Sequence, residues 1–197
     1  MKKETAFSTR DNLLATASKL FAQKGFKATS MQEIADSAGV NKALLFYYFD
    51  SKDNLYYSIL KKSLNNFITA LKNAASSSSD VVEQLKQVML VIPAQMEKEK
   101  YLTRILMREL GEMGKILKEH IQLFSTCLTP IEEIIKKGIH QNIFRPLDPH
   151  LTAISLISIM KNLSLRKMLF GEPSIKEIFQ HTSQLILNGL LISANPE

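Results

Sequence analysis

Apolar residues recur every three to four positions along most of the chain, and no stretch of useful length alternates as a strand would. Leu13, Ala17, Leu20 and Phe21 share one helical face, and Gly25 follows as a natural stop. Thr29 and Ser30 then stand three residues before Gln32 and Glu33, both capping-box patterns. That spacing predicts a helix with Ile34, Ala35 and Ala38 turned inward and its end at Gly39. After Val40 a second short pattern runs through Leu44, Leu45 and Phe49. Asp50 or Ser51 caps a longer helix carrying Leu55, Ile59, Phe67 and Leu71.

The run Ser76-Ser77-Ser78-Ser79 breaks the periodicity. Beyond it, Asp80 with Glu83 forms another capping box ahead of Leu85, Val88, Met89 and Ile92, in a helix that Pro93 should kink or end. Tyr101 to Leu110 reads as a short helix. A longer one is expected from Ile116 to about Ile139, with Pro130 as a bend. Residues 142–147 read as a loop. Asp148-Pro149 opens an apolar helix to Phe170 with an N-cap and a proline at the first helical position, and Gly171 ends it. Ser174 with Glu177 caps the last helix, to about Ile192. The expected fold is all-α with about nine helices.

Composition agrees with this reading. Seven glycines and six prolines in 197 residues leave few turn residues, and the single cysteine, Cys127, excludes an intramolecular disulfide. The N-terminus has lysines but no apolar run behind them, and no stretch approaches the ~18 apolar residues of a membrane helix. A cytoplasmic protein with no membrane association is expected. The net charge of +6 is unevenly placed. Residues 1–75 hold eleven Lys/Arg against six acids, and residues 76–197 hold fourteen against thirteen. A basic head on a nearly neutral body suits a polyanionic partner, although a basic surface alone has many explanations.

Residues 30–49, SMQEIADSAGVNKALLFYYF, have the spacing of a helix-turn-helix. Ala35 is small where two short helices must cross, Gly39 supplies the turn, and Ile34, Val40 and Leu45 form the shared core. The second helix then presents Asn41, Lys42, Ala43, Leu44, Tyr47 and Tyr48 from its front end and outer face, as a helix entering a major groove requires. Adjacent tyrosines cannot both be buried, and Lys42 and Lys52 flank the expected groove face. A helical hairpin within a bundle is the structural alternative.

Residues 9–55 as a whole resemble the DNA-binding domain of the tetracycline-repressor-like (TetR) family. The matching elements are Leu20-Phe21, Gly25, Thr29, Ile34-Ala35, Ala38-Gly39-Val40, Leu45, Tyr48-Phe49 and Ser51-Lys52. The resemblance implies a homodimeric transcription regulator, most often a repressor released from a palindromic operator by a small-molecule effector. It also implies a three-helix DNA-binding domain over residues 1–52, joined by a long fourth helix to a ligand-binding and dimerisation domain over 53–197. By position, Thr29 and Ser30 would hold phosphate. Asn41, Lys42, Ala43 and Leu44 would lie at the groove, with Tyr47 and Tyr48 on backbone or thymine methyls. Lys52 would bind phosphate at the start of the fourth helix. Asn41 replaces the usual serine or threonine and can still cap its helix or pair with adenine. Phe46 replaces a common tyrosine and lacks the hydroxyl for a phosphate contact.

The body from residue 60 resembles the family less. The resemblance places the dimer interface on the last two helices, with Leu151, Ile154, Ser155, Ser158, Leu185 and Gly189 as candidates. Their mixture of small and apolar residues exceeds what one body needs to bury. Six of the eight methionines lie beyond the serine run. Phe67, Met89, Ile92, Met96, Met107 and Phe124 are candidates for a largely apolar effector pocket, with ordinary core filling as the competing reading. Arg104, Arg108 and Glu109 are candidates to orient a polar ligand group, or else form a solvated face. The four histidines have no i,i+4 partner, so no metal site is read. Cys127 reads as a buried apolar residue. No phosphate loop, serine elbow or paired-carboxylate motif is present, and neither an enzyme nor a cofactor is expected. A helical binding module without sequence-specific DNA binding is the alternative from another class.

Overall fold

The computed structural model describes the backbone over residues 2–108 and 125–192, with side chains over 9–101, 103–105 and 125–192. Nine helices follow one another among the described residues, and the β contribution there is a single bridge between Phe144 and Leu191. No described helix is long and apolar enough to cross a membrane. The chain divides into two compact units. The described residues of the first are 2–64 and 99–108, and those of the second are 65–98 and 125–192.

The first unit comprises α1 (Lys2–Lys24), α2 (Met31–Ala38), α3 (Lys42–Tyr48), the first half of α4 (Lys52–Ala75) and α6 (Lys100–Arg108). Leu13, Ala17 and Phe21, four residues apart on α1, are fully buried together with Ile34, Ala35, Leu45, Phe49 and Leu55. Phe21, Phe26 and Tyr56 pack around one another with centroids 5.1–5.7 Å apart, an arrangement worth about 0.5–1.5 kcal/mol per pair beyond area burial. Ile105 joins this core, and α6 packs along α1.

The second unit is built on α5 (Val81–Lys98), which touches α7 (Thr129–His140), α8 (Pro149–Phe170) and α9 (Ile175–Leu190). Val81, Leu85, Val88, Met89 and Ile92 of α5 are buried, as are Ile131, Ile134 and Ile135 of α7. Asp148 caps α8, accepting from the Leu151 N–H at 2.7 Å, and Gly171 closes that helix in the left-handed region.

Several expected caps and boundaries differ, and each has a physical reason. Asp80 accepts from the N–H of Val82, and the Glu83 carboxylate takes the Gln87 side-chain amide instead of completing a capping box. Pro93 lies inside α5 and does not end it; the residue is buried, and its packing outweighs the one ladder bond it forfeits. The helix expected over 116–139 is interrupted by a turn at 126–128, and Pro130 sits in the first turn of α7, where a missing N–H costs nothing. The stretch 109–124 lies outside the described residues. The last helix ends at Leu190, because the chain beyond it binds the 143–145 segment. The Arg145 N–H donates to the Leu190 carbonyl at 2.7 Å, and the Ile192 N–H to Ile143 at 3.1 Å.

Gly138 of α7 leaves no room for a side chain. A Cβ built there would lie 2.1 Å from Cδ2 of Phe144, itself fully buried, and the Gly138 carbonyl accepts from the N–H groups of Ile143 and Phe144. Gly138→Ala, normally favourable inside a helix, is therefore expected to destabilise by about 1–3 kcal/mol through overpacking, read as a lowered thermal midpoint.

The reciprocal capping box of α9 is complete. Ser174 accepts from the Glu177 N–H at 3.2 Å, and the Glu177 carboxylate accepts from the Ser174 N–H at 2.8 Å. The side-chain hydrogen bond with Ser174 holds the Glu177 carboxyl below its ordinary value. A depressed carboxyl contributes stability that is full above its unfolded-state pKa and is lost as pH falls through the folded value. The stability difference between the native chain and Glu177→Ala should therefore shrink as a titration goes below about pH 4.

Candidate nucleic-acid interface

The helix-turn-helix is specified by backbone capping at three successive points. Ser30 N-caps α2, its hydroxyl accepting from the Glu33 N–H at 3.1 Å. Gly39 closes α2 at φ 69°, a conformation that side chains disfavour, and the Val40 N–H returns to the Ala35 carbonyl at 3.0 Å. Asn41 caps α3, its side-chain oxygen accepting from the Leu44 N–H at 2.7 Å. The capping role open to Asn41 is thus filled by its oxygen.

With Leu45 fully buried against Ile34 and Ala35, the opposite side of α3 faces outward. Asn41, Lys42 and Ala43 are exposed, Phe46 is 39% exposed and Tyr47 is 79% exposed. Leu44 and Tyr48 are half-buried at the edge of this row, and Tyr48 packs against the core. The Lys42 ammonium lies 5.9 Å from the centre of the Phe46 ring, and the Tyr47 and Tyr48 rings meet edge to face at 5.3 Å. One lysine and no acid lie on α3, so the face is cationic and aromatic. Ser30, at the start of α2, is exposed as well.

Thr29 and Lys52 are placed differently. Thr29 is buried, and its hydroxyl donates to the Gly25 carbonyl at 2.8 Å. The Lys52 ammonium donates to the carbonyls of Phe26 and Thr29 at 2.8 and 3.0 Å. Both side chains are engaged within the turn between α1 and α2.

Two ties between α1 and α2 have no signature in the local pattern. Asn12 of α1 donates its side-chain amide to the Ala38 carbonyl at the end of α2 (3.1 Å), and Lys24 pairs with Glu33. The Lys24 hydrogen bond holds the Glu33 carboxyl below its ordinary value. Charge and polarity at these positions suggest surface residues, and only the packing of α1 on α2 brings the partners together.

In the second unit, Leu151, Ile154, Ser155, Leu185 and Gly189 are exposed and Ser158 is half-buried, so the dimer candidates share outer positions on α8 and α9. Leu151 is 62% and Leu185 58% exposed. The inner side of α8 is occupied separately by Ala153, Leu156 and Met160, leaving that helix apolar on two sides. Of the effector candidates, Met89 and Ile92 are buried in the α5 core, and Phe67 and Met96 are half-buried. The side chain of Met107, and Phe124 altogether, lie outside the described residues, as do the Arg108 side chain and Glu109. Arg104 is exposed. Cys127 is buried, and desolvation pushes its thiol up to about 11, away from nucleophilic reactivity.

The family model for bacterial regulatory proteins of the tetR family matches residues 13–59, and the model for the tetracyclin repressor-like C-terminal domain matches residues 78–190. A Bacillus subtilis relative, "Probable HTH-type transcriptional regulator YttP", is 30% identical over 177 residues, covering 84% of each chain. The negative transcriptional regulator IcaR of the biofilm operon icaADBC in Staphylococcus aureus is 36% identical over 78 residues, which are 38% of this chain and 42% of that one. Among solved structures, the TetR family transcriptional regulator PfmR from Thermus thermophilus has a TM-score of 0.76 at 26% identity, covering 90% of this chain and 97% of its own. These relatives are regulators and not enzymes. A capped helix-turn-helix with an outward cationic face, both family models in order and a relative matched over most of its length lead to one assignment: the chain belongs to the TetR family of transcriptional regulators, whose members bind DNA through this head and dimerise.

Proposed function

We propose that the protein is a homodimeric repressor that reads a palindromic operator through α3 and leaves it when a small-molecule effector binds the body. The observation that carries the reading is the exposed row Asn41, Lys42, Ala43 and Tyr47, with Leu44 and Tyr48 at its edge, on a helix whose other side is locked into the core. Small Ala43 permits close approach to base edges, Lys42 supplies charge for phosphate, and Tyr47 offers a ring to a thymine methyl and a hydroxyl to the backbone. Ser30 lies at the α2 N-terminus, where the helix dipole favours a phosphate. Asn41, with its oxygen in the cap, keeps its amide N–H groups for an adenine or a phosphate.

The outer positions of α8 and α9 supply the dimer surface in this reading, from Leu151, Ile154, Ser155, Ser158, Leu185 and Gly189. A two-fold axis there sets two heads about 34–36 Å apart, one turn of DNA. Residues 1–52 are the reading head and residues 53–197 sense and dimerise. Repression is the simpler mechanism, because it needs only occupancy of the operator. The effector in this reading is a largely apolar small molecule, for which half-buried Phe67 and Met96 are the available contacts, Met89 and Ile92 being packed in the α5 core. It releases DNA only if it binds the DNA-incompetent head spacing more tightly, by a few kcal/mol. The site of action is the cytoplasm, where the operator is.

Fluorescence anisotropy with operator duplex tests this. Affinity should fall linearly on a log–log plot against salt, and a releasing compound should raise the apparent Kd without changing that slope. Binding indifferent to both salt and sequence would defeat the reading.

A further inference from the structure

The ammonium of Lys52 reaches back across the first unit to the turn between α1 and α2. It donates to the carbonyls of Phe26 at 2.8 Å and Thr29 at 3.0 Å, lies 3.4 Å from that of Lys27, and stands 4.5 Å from the centre of the Phe26 ring. An ammonium has three protons, and three carbonyls converge on it. The rest of the turn is closed by Thr29, whose hydroxyl donates to Gly25 and whose N–H donates to Phe26. Residues 25–29 are thereby tied at both ends, and the next residue is Ser30, the N-cap of α2.

A lysine in the first turn of a helix lies at the wrong end of the helix dipole. Converging carbonyls offset that cost, which gives the side chain a reason to stay where it is. A phosphate would have to pull the ammonium off these carbonyls and the Phe26 ring before gaining it.

We propose that Lys52 is a positioning residue. It latches the start of α4 onto the α1–α2 turn, so that Ser30 and α2 hold their place relative to α3 when the head meets DNA, and it is not itself a phosphate ligand. The DNA readouts below rest on the operator reading; the exchange readout does not.

The two roles separate by salt dependence. A phosphate-binding lysine contributes about one to the log–log salt slope per protomer, and a positioning lysine contributes nothing to it. Lys52→Met is expected to weaken operator binding by roughly tenfold or more, comparable with the loss of one charge-assisted hydrogen bond, at an unchanged slope. Lys52→Arg serves should the methionine variant not fold. It keeps the charge, but a planar fork cannot point at three carbonyls converging on one atom, so the same loss at the same slope is expected. A slope shallower by about one per protomer in Lys52→Met, or full affinity in either variant, would overturn the proposal. Hydrogen exchange on the free protein gives the independent arm. The amides of Thr29 and the first turn of α2 should exchange faster in Lys52→Met or Lys52→Arg than in the native chain. Unchanged protection there overturns the latch, whereas absent operator binding by the native chain counts only against the DNA reading.

Discussion

Lys42→Ala combined with Tyr47→Ala is expected to weaken operator binding by about a hundredfold or more at fixed salt, because each head then lacks one side chain for phosphate and one for a base or the backbone. The size follows from the dimer, because each change is made twice. The log–log salt slope should also become shallower by about one per protomer, the signature of Lys42 on phosphate. The fold should be untouched. Lys42 and Tyr47 are exposed, and the core beneath α3 is made by Leu45 with Ile34, Ala35 and Phe49. Equal thermal midpoints and equal helicity, beside the reduced affinity, are the result to look for. Tyr48 is the poorer choice for this test, because it packs against that core and its removal mixes recognition with stability.

The other large effect lies in the body. Leu151→Glu with Leu185→Glu places carboxylates at two exposed apolar positions of α8 and α9. Neither residue belongs to the core of its own unit, which runs through Ala153, Leu156 and Met160 on α8 and Ile178, Leu187 and Leu190 on α9. The variant should therefore fold and fail to pair, sedimenting at 22.3 kDa, the mass of one chain. A single head then binds without the second head held nearby, and operator affinity should fall by roughly a hundred- to ten-thousandfold, the range that linked binding sites confer. A double variant that remains a dimer at full affinity would remove these positions from the interface.

The head is legible in the sequence because its specification is local. Ser30, Gly39 and Asn41 act on backbone groups within five residues of themselves, and each performs the capping or turn chemistry its residue type suggests. The periodicity of α1 and α4 completes the core. Lys52 is not legible in this way. Its partners lie 23 to 26 residues away, and its charge at a helix start reads equally as a phosphate contact. Thr29 is similar, since a threonine three residues before a glutamine reads as a cap, while the fold buries it in a turn.

In the body the misplaced boundaries share one cause. Pro93 and Pro130 are local signals whose outcome depends on what surrounds them: burial keeps α5 continuous through the first, and a turn at 126–128 places the second at a helix start. Leu190 ends α9 because a segment almost fifty residues earlier supplies hydrogen bonds to the chain there. The effector candidates mark a further limit of pattern reading. Met89 and Ile92 lie in the α5 core, and an apolar position at helical spacing looks the same whether it fills a core or lines a cavity.

The measurement that bears most directly on the reading is selection of bound duplexes from random-sequence DNA by the full-length protein, at several salt concentrations, in parallel with the Lys42→Ala/Tyr47→Ala variant. The native protein should enrich a two-fold symmetric site whose half-site centres are about 10–10.5 base pairs, or a multiple of that, apart, and the variant should enrich nothing above background. No enriched sequence at any salt, or the same site enriched equally by the variant, would contradict the reading of DNA through α3.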